Sequence, residues 1–70
     1  MTTDELDPGT LGRLERLADQ LDRVSEDLGD LSMTLLRDAL DAGATRRPDV
    51  DRTLAQARRA VDQAAGLLRP

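Results

Sequence analysis

Leucines at 14, 21, 28 and 35 recur every seven residues, and Leu17, Val24 and Leu31 follow three residues after the first three. An apolar spacing that alternates three and four keeps its side chains on one stripe of a supercoiled helix. Residues 11–40 therefore read as one long helix with another helix packed along it. With Leu14 taken as position a, Leu17 is position d. The e positions beside this seam are Ala18, Ser25, Ser32 and Ala39, all small, so a neighbouring helix can approach closely there.

The ends of this helix carry their own signals. Asp7 can cap free backbone amides and Pro8 suits the first helical position. Gly43 supplies the left-handed residue that closes a C-terminus. Pro48 then restarts a helix, with Asp49 and Asp51 near the positive end of its dipole. The second helix has a seam of its own in Val50, Leu54, Ala57, Val61, Ala64 and Leu68, at alternating steps of four and three. A short connection between two amphipathic helices joins antiparallel neighbours. The expected fold is all-α: an antiparallel helical hairpin, with a disordered tail over 1–7, a first helix over about 8–42, a turn over 43–47 and a second helix over about 48–69.

The two helices differ in length, roughly 50 Å against 30 Å at 1.5 Å per residue. If the turn is tight, Leu35 falls near Ala57, Leu28 near Ala64 and Val24 near Leu68. Leu11, Leu14 and Leu17 then project beyond the short helix, and with Leu21 they form the expected oligomer interface. A second apolar stripe of Met33, Leu36 and Leu40 lies across the helix from Leu28 and Leu35. A helix that is apolar on two sides is covered on two sides. The stripe is read as the docking surface for a different protein, or as part of the oligomer core.

Size points the same way. A chain of 70 residues folded as a lone hairpin buries little apolar surface against its conformational entropy. With no cysteine there is no disulfide, and with no histidine carboxylates alone would have to hold any metal. Association with further chains is the remaining source of stability, and a homodimer forming a four-helix bundle is the expected assembly. No apolar run is long enough to span a membrane, and the acidic start is not a secretion signal, so the expected location is the cytoplasm. Arginine supplies all ten basic residues, beside abundant Ala, Leu and Asp, a composition associated with GC-rich bacterial genomes.

The side-chain inventory excludes most chemistry. There is no His, Cys, Lys or Tyr to serve as base, thiolate or Schiff-base amine. Ser25 and Ser32 have no base in reach by sequence, and the carboxylates are scattered over solvent-facing positions. The expected function is non-catalytic, a protein–protein interaction module acting as accessory subunit or small regulatory adaptor, with no cofactor. A reading from a different class uses arginine. Residues 1–41 carry eleven acids and four arginines, whereas 42–70 carry three acids and six arginines. Arg46, Arg47 and Arg52 cluster at the start of the second helix, where an anion or nucleic-acid backbone could bind. The acidic balance of −4 and the absence of any aromatic residue for base stacking weigh against nucleic acid.

Overall fold

The computed structural model describes residues 7–43, 45 and 49–69. Two helices pack against each other, α1 (Pro8–Asp41) and α2 (Asp49–Leu68), and no strand occurs among the described residues. Residues 1–6 of the expected tail lie outside the described residues, as do Arg46, Arg47 and Pro48. Among the described residues, no helix is long and apolar enough to cross a membrane.

Both ends of α1 are closed by local chemistry. Asp7 is extended (φ −78°, ψ 165°), and its Oδ1 accepts the Thr10 amide at 2.7 Å while Pro8 opens the first turn. At the other end Ala42 N–H donates to the Asp38 carbonyl and Gly43 N–H to the Leu40 carbonyl, each at 3.0 Å. Gly43 holds φ +88°, a conformation that side chains resist, so the chain leaves the helix here with no steric cost.

Two hydrogen bonds fix how the helices align. The Ser32 hydroxyl donates to Asp51 Oδ1, and Arg58 Nε donates to Ser25 Oγ at 3.1 Å. One heptad down α1 is thus one heptad up α2, which makes the pair antiparallel. Continued one heptad further, the same register brings Ala18 opposite Ala65. These two are the most deeply buried residues described, at 0% and 1% exposure.

This register differs from the expected one. A tight turn would have placed Leu28 near Ala64, whereas Leu28 and Leu54 here line the same groove. With Asp51 beside Ser32, the start of α2 comes level with about Thr34, so α1 runs on about 10 Å past it. By the same count α2 ends level with about Glu15, and α1 runs on about 10 Å there as well. The short helix is centred on the long one. The expected turn over 43–47 lies largely outside the described residues, and the shift is fixed by the side-chain pairs Ser32–Asp51 and Ser25–Arg58.

The contact is also rotated. Its centre on α1 runs along a and e, through Ala18, Ser25 and Ser32, instead of along a and d. On α2 it runs through Asp51, Leu54, Arg58, Val61, Ala65 and Leu68. Small side chains at e let the backbones approach, so the closest layers hold alanine and serine while the leucines are only half-buried. Among the described residues only Ala18, Ser25, Asp51 and Ala65 are buried, and no large side chain is fully enclosed. Leu14, Leu21, Leu28 and Leu35 flank the line half-buried.

Candidate functional site: an open apolar face

Rotation of the contact toward e exposes the d positions. At roughly 100° per residue, d lies about 80° to one side of the contact line. Leu17, Val24 and Leu31 accordingly keep 45%, 44% and 47% of their surface exposed. On α2 the corresponding side carries Val50, 46% exposed, with Ala57 and Ala64 half-buried. Because the helices are antiparallel, these two flanks fall on one face of the hairpin. The half-buried Leu14, Leu21, Leu28, Leu54 and Val61 form its floor. The result is a two-helix apolar face about 30 Å long, the span of α2. Contiguous apolar patches on soluble chains are the surfaces that interfaces use.

The opposite face is mixed, carrying polar contacts between the helices beside the Met33, Leu36 and Leu40 stripe. Arg58 crosses α1 there to reach Ser25, and Gly29 makes room for it: a β-carbon at Gly29 would stand 2.6 Å from the Arg58 guanidinium. Arg69 closes the end of the pair, donating to Asp19 at 3.0 Å and to Asp22. Asp22 first, then Asp19, favour the charged guanidinium and raise its pKa. Between these contacts runs an open groove of about 350 Å³ lined by Leu28, Gly29, Met33, Ala55, Arg59 and Asp62 among others.

The expected site residues separate under this geometry. Leu17 and Leu21 do not overhang, because α2 reaches past them to about Glu15. Leu14 lies beside the end of α2, and Leu11 is half-buried beyond it. Leu14, Leu17 and Leu21 belong to the open face for a different reason, its rotation away from the intrachain contact. Met33 and Leu40 are 61% and 60% exposed on the opposite face, and Leu36 between them is half-buried. The stripe lies off the open face, with Met33 at the mouth of the groove.

Sequence reasoning placed no partner beside Ser25 or Ser32, and the fold supplies one to each across the pair. Ser32 is held by Asp51 and Ser25 by Arg58. Both pairs tie α1 to α2. Of the arginines considered for anions, Arg52 is exposed, and Arg46 and Arg47 lie outside the described residues. Among the described residues, no group of three or more carboxylates is placed to hold a metal ion. Comparison with family models, curated proteins and solved structures gives no match.

Proposed function

We propose that this chain is a non-catalytic protein–protein interaction module, an accessory subunit or small regulatory adaptor, that works as a homodimer closed through its open apolar face. The observation that carries the reading is the row of Leu17, Val24 and Leu31, left half-exposed by a hairpin whose own contact, among the described residues, buries only small or polar ones. At about 25 cal/mol per Å², covering this row contributes more than the Ala and Ser layers of the contact. Pairing two such faces makes a four-helix bundle with leucine at its centre. Assembly there leaves Met33, Leu36 and Leu40 on the outside, where a different protein can dock.

Light scattering behind a sizing column tests the assembly. The natural chain is expected to elute as a dimer at micromolar concentration, and Leu17→Gln/Leu31→Gln is expected to shift it toward monomer. A natural chain that is monomeric and cooperatively folded would refute the proposal. The outer stripe has a separate test, Leu36→Gln/Leu40→Gln, which preserves helix propensity while removing apolar surface. That variant should remain dimeric and helical; conversion to monomers would assign the stripe to the homodimer core.

A further inference from the structure

The open face has two edges, and they are unlike. Beyond Ala57 and Ala64 on α2 come Asp49, Thr53, Gln56, Ala60, Gln63 and Leu67, with Asp49 at the start as the single charge in this row. Beyond the d row on α1 come the g and c positions, and these are charged in sequence order. Arg13, Arg16 and Arg23 occupy the first half; Asp27, Asp30 and Asp41 occupy the second, with Arg37 the exception, and Asp38 ends the d row itself. All eight are exposed, and the ion pairs of the described residues join Arg69 to Asp19 and Asp22 instead. The edge of α1 is thus positive at one end, negative at the other, and unneutralised.

Two identical hairpins can close these faces about a two-fold axis in only two ways. With the axis along the helices, α1 of each copy lies on α2 of the other. Its charged edge then meets one whose single charge is Asp49, with nothing to match its arginine and aspartate halves, and both ends of α1 overhang into solvent. With the axis across the helices, α1 lies antiparallel on α1 and α2 on α2. The arginine end of each α1 then meets the aspartate end of the other, so each attraction occurs twice. The overhangs of one copy also cover those of the other. Charge complementarity of this kind sets the register and orientation of an interface.

We infer that the occupant of the open face is a second copy of this chain, with α1 antiparallel on α1 and the two-fold axis passing between Val24 and Leu28. In that register Leu17 meets Leu35 of the second copy, Leu21 meets Leu31, and Val24 meets Leu28. Arg16 comes opposite Asp38, Arg13 opposite Asp41, and Arg23 between Asp27 and Asp30. On α2 the axis passes near Ala57, where two small side chains face each other. The inference rests on the homodimer reading above and adds its geometry.

The absence of cysteine permits a direct test with single spin labels and pulsed dipolar spectroscopy. In the inferred dimer the axial separation of a residue from its own copy grows by about 3 Å per residue from the axis. Labels at Asp27→Cys should lie close together, and labels at Glu15→Cys about 30 Å apart along the axis. In the alternative dimer the axial separation is zero at every position. Charge exchange gives a second readout at low ionic strength, where exposed charges are least screened. Arg13→Asp/Arg16→Asp and Asp38→Arg/Asp41→Arg should each weaken self-association about tenfold, as expected for several exposed pairs turned repulsive. An equimolar mixture of the two should recover heterodimer. A monomeric natural chain would overturn both the homodimer and this geometry. A dimer whose label distances do not depend on position, or whose charge variants show no preference for each other, would overturn the geometry alone.

Discussion

Substitution of Ala65 by leucine tests the packing directly. Ala65 is 1% exposed and faces Ala18, 0% exposed, at the closest layer of the pair. Leucine adds three carbon atoms where no void exists, so the helices must separate or the side chain must leave its preferred rotamer. Overpacking of this kind costs about 1–3 kcal/mol. For a chain this small each kcal/mol moves the thermal midpoint by about 4–8 °C, so Ala65→Leu should lower it by roughly 5–20 °C. Ala18→Leu should do the same, and the double variant should cost less than the two single losses together, since helices once separated accommodate both. Ala57 and Ala64 border the open face, so leucine there should cost less than at Ala65. Ala55→Leu, exposed on the groove side, should be close to neutral. With no aromatic residue to report tertiary structure, far-ultraviolet circular dichroism at fixed chain concentration is the assay. Equal midpoints for Ala65→Leu and Ala55→Leu would refute the rotated contact line.

Further expectations follow from individual residues. Ser32→Ala removes a partner from Asp51, which is 6% exposed, and should destabilise by about 1–3 kcal/mol in urea titrations. Gly29→Ala should gain most of its helix propensity, about 0.5–1 kcal/mol, only in an Arg58→Ala background, because in the natural chain the new methyl displaces the guanidinium; additivity of the two substitutions would count against that crossing. Gly43→Ala should cost about 1–2 kcal/mol, since φ +88° is strained for any side chain. The Thr10 backbone amide holds the Asp7 carboxyl below its ordinary value of 3.8. A depressed carboxylate stabilises the fold above its unfolded pKa and loses that contribution as pH falls through the folded one. Hydrogen exchange in the first turn of α1 should therefore accelerate below about pH 3.8, and Asp7→Ala should show the fast rate at neutral pH.

The seven-residue rhythm and the terminal signals are local, so the helical class, the cap at Asp7 and the stop at Gly43 were legible in the sequence. The small e positions were legible too, as a place where another helix could come close. What periodicity leaves open is which of two adjacent stripes the chain's own second helix takes. Ala18, Ser25 and Ser32 are apolar or small enough to be passed over beside a row of leucines, yet they hold the intrachain contact. Ser32–Asp51 and Ser25–Arg58 decide the matter through partners 19 and 33 residues away, a separation no pattern within one helix encodes. The register was missed for a related reason. Gly43 and Pro48 signal where helices stop and start, but not which residues of the two helices come level.

A core made of two alanines, a serine and an aspartate has a calorimetric consequence. The heat-capacity change and denaturant dependence of unfolding both scale with newly wetted surface. An isolated hairpin of this construction hides little, so it should melt over a wide span of temperature and urea, with a shallow stability curve. A steep transition would have to draw its cooperativity from the leucine face. Its midpoint would then climb with chain concentration, in the way mass action requires of any fold completed by association.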